Sequence, residues 1–410
     1  MKHLTPRSHA PRGNARPSRS RGASSSATRS TQSVAVARSH AERGNKLWVA
    51  LIAVACLITA SAAVAAEEES SDVVAIADEP VLRSTTIEHL SKLATTGPKP
   101  APITAPEPAA IEAAIARGIQ FLLDDQRRDG SWGSPERTKG LNIYAPPPGA
   151  HDAFRTGVTG LVLMALVEVE AQLADEQRAA VDAAIDRGTE WLIQRLPRLR
   201  RATPDALYNT WGHAYAIQAL VRLHNRADGK PELQSTLRQL AADQADMLRR
   251  YSFVGGGWSY YDFLAGTQIP SDASFSFCTA TVLIALHEAK SIGVEFPERL
   301  TDKAIASILR QQKPDFAYAY GEYLRMRPMH PINRPAGSLG RSQVCNLALR
   351  LYGNEQITDE VLETWLNRLI ARNGWLDMGL KRPIPHEAHF AIAGYFYYYG
   401  HMYAAMCIDQ

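Results

Sequence analysis

Cysteine is nearly missing from this chain: Cys56, Cys278, Cys345 and Cys407 are the only four among 410 residues. They are too few and too widely spaced for a disulfide framework or for a zinc site evident from spacing. They read instead as small buried hydrophobes. No segment alternates apolar and polar residues with the period of a strand, so a fold built on β-sheet is not expected. Excess charge of one sign is missing too, except at one end. Residues 1–46 carry ten Lys and Arg against one acid, Glu42, whereas beyond residue 66 acids outnumber bases by 41 to 35. The main part of the chain therefore has no electrostatic footprint for nucleic acid.

What is present falls into four stretches. Residues 1–46 are basic and rich in Ser, Ala, Gly and Pro, too poor in apolar surface to repay ordering, and are expected to be disordered. Residues 47–66 carry no charge and end in Ala63-Val64-Ala65-Ala66, as a secretory signal peptide does. About twenty apolar residues also suffice for an uncleaved membrane anchor. Under both readings the preceding positive charge stays in the cytoplasm and the rest of the chain is exported, periplasmic or extracellular. Residues 67–107 form an Ala/Pro-rich, acidic linker with one short helical pattern around Thr86. From residue 108 onward every patterned segment reads as helix. The helices alternate between amphipathic members and members apolar on nearly all sides, at 154–170, 211–223, 275–290, 340–352 and 389–407, as two packed layers require.

One stretch carries a specific motif: Arg117-Gly118, then Phe121-Leu122, Gln126, Gly130 and Trp132. The periodic residues end at Gly130, so the helix is expected to stop near Asp129. This spacing resembles the QW repeat of the prenyltransferase and squalene oxidase repeat family, which includes the squalene/hopene cyclases and the protein prenyltransferases. Degenerate copies follow. Arg187-Gly188, Trp191-Leu192 and Leu196 make a second. Leu240 and Gln244 open a third, whose turn is delayed to Gly255-Gly256-Gly257-Trp258. Lys303-Ala304, Ile308 and Gln312, with Phe316-Ala317-Tyr318 in place of Gly-Ser-Trp, make a fourth. Trp365-Leu366, Ile370 and Gly374-Trp375 make a fifth. The unit is about 60 residues, longer than common helical solenoid repeats. The resemblance implies an all-α (α/α) toroid of helical hairpins over 108–410, with five repeats recognisable and a sixth missing or atypical. It also implies that Gln126 and Trp132 clamp the ring without touching substrate.

The catalytic signatures of that family do not accompany the repeats. There is no Asp-x-Asp-Asp acid of the cyclases, and residues 124–129, Asp-Asp-Gln-Arg-Arg-Asp, miss the spacing of a diphosphate-binding motif and read as a solvated charged turn. The zinc ligands of the prenyltransferases are not reproduced by Asp272 and Cys278, so no metal is expected and no cofactor is identified. Polar residues at the starts of the apolar helices remain: Asp152 and Arg155, His213, Asp272, Arg341, and His386 with Glu387 and His389. Asp272, His389, His213 and His386 are the candidate acid–base residues, and helix capping accounts for the same residue types. Trp258, Tyr260, Tyr261, Tyr395, Tyr398 and His401 are the candidate ligand-binding residues, because ring faces suit a polyene cation or a sugar. The expected role is an exported protein that binds an isoprenoid or other lipid. A non-catalytic scaffold and a carbohydrate-active enzyme such as a polysaccharide lyase are the alternatives, since fold does not fix function.

Overall fold

The computed structural model describes residues 92–102, 104–133, 148–199, 209–259, 273–380 and 395–410, all within the unit Lys46–Gln410. Most of these residues are helical, and no strand occurs among them beyond two isolated bridges. The short α1 (Lys92–Thr95) is followed by α2 (Pro108–Asp125), α3 (Pro148–Glu170), α4 (Asp175–Arg195), α5 (Asn209–Arg226) and α6 (Pro231–Tyr251). Then come α7 (Ser276–Lys290), α8 (Glu298–Gln311), α9 (Leu339–Leu351), α10 (Asp359–Ala371), α11 (Asn373–Leu380) and α12 (Tyr395–Ile408). The basic arm, the apolar run 47–66 and the Thr86 pattern lie outside the described residues.

The two kinds of helix occupy two layers. In α7 every residue from Ser276 to Leu286 is buried, as expected of a helix apolar on all sides. In α8 only Thr301, Ala304, Ser307, Ile308 and Gln311 are buried, one stripe at three- and four-residue spacing. The enclosed helices pack in series, α3 on α5, α5 on α7, α7 on α9 and α9 on α12, and each amphipathic helix α4, α6, α8 and α10 packs on the enclosed helix before or after it. Small residues permit the close approaches: a Cβ on Gly160 would stand 2.7 Å from the Tyr215 carbonyl oxygen, and one on Gly400 would stand 2.7 Å from the Cα of Gly340. At the other end of the layer Arg368 of α10 donates to the carbonyls of Leu93 and Thr96, both at 2.7 Å, fastening α1 to α10.

The same turn follows α2, α6 and α8. The backbone N–H of Arg127 donates to Ser131, that of Phe253 to Gly257, and that of Lys313 to Ala317, at 2.8–2.9 Å. The third residue beyond each donor takes a positive φ, 88° at Gly130, 98° at Gly256 and 58° at Phe316. In the first two turns an indole follows two residues later and reaches back ten residues: Trp132 Nε1 donates to Leu122 O and Trp258 Nε1 to Leu248 O, both at 2.7 Å. Both carbonyls belong to the last helical turn, where no intrahelical donor remains, so the indoles cap α2 and α6. The equivalences shift two expectations. α2 ends at Asp125, four residues before the expected stop, because Gln126 already adopts an extended conformation. The third turn is not delayed: Ser252 stands where Gln126 stands, and Gln244 lies inside α6.

These turns also explain the basic–small pair of the motif. The pair receives the turn of the preceding repeat. A Cβ on Gly130 would meet the Arg187 carbonyl oxygen at 2.4 Å, and one on Gly256 would meet that of Lys303 at 2.0 Å. The Arg187 guanidinium donates to Gln126 Oε1, while Gln126 Nε2 donates to Ala184 O at 2.8 Å. A Cβ on Gly188 would lie 2.8 Å from the Trp132 ring, so the small residue makes room for the preceding indole. The turn after α8 docks on α10 instead, where Trp365 Nε1 and Arg368 both donate to Asp315 O. Gly374-Trp375 forms no such turn, since both residues are inside α11.

Candidate functional site

His213 and Trp258 both face away from the space between the enclosed helices. His213 is fully buried on α5, with Nδ1 2.7 Å from Gln244 Oε1 and its ring stacked on Tyr251, both on α6. Trp258 is fully buried as the cap of α6 described above. At the start of α3, Arg155 binds Asp129 Oδ2 at 2.5 Å and lies over the Trp191 ring, while Asp152 pairs with Arg195. Burial acts to raise the Asp129 pKa, but hydrogen bonds from Ser131 and Arg155 outweigh it and hold the carboxyl at about 2. The 124–129 stretch is thus more than a solvated turn, because Asp129 joins the motif to α3. Arg341, fully buried at the start of α9, donates to the carbonyls of Gly337, Tyr318 and Ile332 and lies over the rings of Tyr320 and Phe396. Buried backbone dipoles and ring faces surround this cation.

The space where α5, α7, α9 and α12 converge is occupied by aromatic rings. Phe277 touches Trp211 at 6.0 Å, Tyr320 at 5.2 Å and Phe396 at 5.2 Å between centroids. Tyr399 meets Trp211 edge-on and packs on Tyr403 at 4.8 Å. Below the rings, hydroxyls gather around Thr281: its Oγ1 lies 2.8 Å from Tyr399 Oη and accepts from Tyr403 at 3.1 Å. Tyr399 also donates to Phe277 O at 2.9 Å. Burial drives the Tyr215, Tyr399 and Tyr403 hydroxyls far above the usual phenol range. They stay neutral at physiological pH and serve as donors, not as bases. Trp211 alone in this cluster keeps partial exposure.

The last enclosed helix splits its aromatic run between two sides. Phe396, Tyr399 and Tyr403 enter the cluster, as one helical face must. Tyr397 packs against Tyr398 and His401 instead. Burial, joined by the nearby Tyr397 and Asp377, pushes the Tyr398 phenol up to about 12. His401 places Nδ1 2.6 Å from the Tyr397 carbonyl oxygen, and burial lowers its pKa. His213, Trp258, Tyr398 and His401 are therefore not brought to one place. Asp272, His386, His389, Tyr260, Tyr261 and the side chain of Tyr395 lie outside the described residues. Sequence pattern gave no sign of Thr281, because a single Thr in an apolar helix looks like filler.

Two open grooves lie elsewhere. One, about 650 Å³, runs over the ends of α3 and α5, where Arg222 pairs with Glu168 and Glu288 at 2.7 Å and Arg226 pairs with Glu170, Asp182 and Asp186. Every charge named there is matched. The other, about 660 Å³, lies between α1, the 313–315 turn, the 328–336 loop and α11. Among the described residues no group of three or more His, Cys, Asp or Glu is arranged to hold a metal ion, and no helix is long and apolar enough to cross a membrane. Compared with family models, curated proteins and solved structures, the chain matches none.

Proposed function

We propose that the two helical layers form the (α/α) toroid to which the motif points, and that this toroid is an exported, non-catalytic protein-binding module. The packing of Phe277, Phe396, Tyr399 and Tyr403 between the enclosed helices carries this reading. Each of the four is at most 6% exposed, so the protein's own rings take the place a polyene would need. Apolar surface is presented on the outside instead: in the loop between α8 and α9, Tyr323, Met326 and Met329 are 56%, 83% and 70% exposed. Adjacent exposed Met and Tyr side chains suit protein contact, since Met adapts to irregular surfaces. The uncharged run 47–66, after its basic arm, supports export, with the run removed or kept as an anchor. The test is affinity purification of the full chain from its native source, wild type against Tyr323→Ala/Met326→Ala/Met329→Ala. A stoichiometric partner held by the wild type and released by the triple variant is expected. A partner retained equally by both rejects the loop as the binding surface.

A second reading keeps the isoprenoid or lipid ligand. Its support is the partial exposure of Trp211, whose ring leads into the aromatic cluster. Titration with a linear polyene, followed by intrinsic tryptophan fluorescence, separates the two: saturable quenching at one equivalent favours the lipid, and no change favours the protein-binding role.

A further inference from the structure

The groove beside α1 combines apolar walls with more cations than acids. Leu93, Met329 and Trp375 line it together with Lys313, Arg334 and Arg372, against one acid, Asp315. Asp315 is already engaged, 3.9 Å from Arg368, and Arg334 and Arg372 enter no ion pair among the described residues. Leu93 is 59% exposed and Met329 70%. An occupant should therefore be extended, acidic and dotted with apolar side chains.

The chain carries such a segment just upstream of the groove. Residues 67–90 contain seven acids, Glu67, Glu68, Glu69, Asp72, Asp78, Glu79 and Glu88, against one Arg, Arg83. Between the acids stand Val73, Val74, Ile76, Val81 and Leu82. Leu93, a groove residue, follows Leu82 by eleven positions, a tether that reaches about 35 Å when extended. A tether that short holds the segment near the groove at an effective concentration on the order of millimolar, far above that of an acidic peptide free in solution. We infer that residues 72–82 seat in this groove, with Asp78 and Glu79 facing Arg334 and Arg372 and the apolar residues against Leu93, Met329 and Trp375. The segment then covers Met329 and leaves Tyr323 and Met326 as the exposed apolar residues of the α8–α9 loop open to a partner. The inference stands whether or not that loop binds a partner.

Hydrogen exchange on the full chain, read by mass spectrometry, tests the seating. Amides of 72–82 are expected to exchange at least about tenfold slower than in an unstructured peptide of the same sequence. Protection should fall as salt rises toward 1 M, where the screening length shrinks to about 3 Å. Arg334→Glu/Arg372→Glu should abolish it, and Asp78→Lys/Glu79→Lys, which leaves the groove untouched, should do the same. Combining the four substitutions restores opposite charges across the contact and should bring protection back, which no folding defect can mimic. Free exchange in the wild-type chain overturns the inference. So does protection that survives both charge reversals, because the segment would then be held elsewhere.

Discussion

Replacing Gly256 by Ala probes the contact that joins one repeat to the next. Two costs are expected, and a second glycine separates them. Gly256 has a φ of 98°, a conformation L residues resist, and its new Cβ would stand 2.0 Å from the carbonyl oxygen of Lys303 on α8. Gly229 has a φ of 76° but nothing within 4 Å of its Cβ position. Gly229→Ala therefore carries conformational strain alone, about 1 kcal/mol. Gly256→Ala carries that strain and must also open the turn from α8 by more than an ångström against backbone, adding about 2 kcal/mol or more as overpacking does. The turn has little freedom to yield, because Arg310 donates to Gly255 O at 2.8 Å and Lys303 to Val254 O at 3.1 Å. Urea denaturation followed by far-ultraviolet circular dichroism should thus show a loss for Gly256→Ala about threefold that for Gly229→Ala. Equal losses would refute the docking of each turn on the next amphipathic helix.

Trp132→Phe keeps an aromatic ring at the site, though a smaller one, and strands the Leu122 carbonyl; it should cost at least about 1–3 kcal/mol in the same unfolding assay. Trp258→Phe should match it. Gly188→Ala pushes a methyl toward Trp132 and Leu163, at 2.8 and 2.9 Å, and should lower the melting temperature as overpacked cores do, by about 1–3 kcal/mol of stability. Asp129 is held at about 2 when folded, below its unfolded value, so its contribution is present above that unfolded value and is lost as pH falls toward 2. Asp129→Asn should flatten the drop in melting temperature between pH 4 and 2. Cys278, Cys345 and Cys407 are buried, with burial raising the Cys345 and Cys407 thiols to about 12. None should react with a thiol reagent until denaturant is added.

The helices were legible from sequence because their signals are local. The expected apolar segments 211–223 and 340–352 fall on α5 and α9 within three residues at either end. The turn at Gly130-Ser131-Trp132 was marked by a glycine only a positive φ explains, and its relative at Phe316 was found although a bulky residue holds that conformation. Position 244 misled because Gln is common to the motif and to α6. What separates the two cases is Ser252, the true counterpart, whose backbone and not its side chain defines the turn. The direction in which His213 faces was not legible. Its contact with Gln244 depends on how α5 rotates against α6, and sequence spacing alone leaves that rotation open. Nor could sequence show that Tyr399 and Tyr403 fill the space between four helices, since an aromatic face on a buried helix looks the same whether it lines a cavity or closes one.

The native mass spectrum of the full chain, purified without detergent, tests the filled centre most directly. The expected mass is that of the polypeptide alone, with nothing released on denaturation. A hydrophobic molecule carried at one per chain and released on unfolding would contradict it.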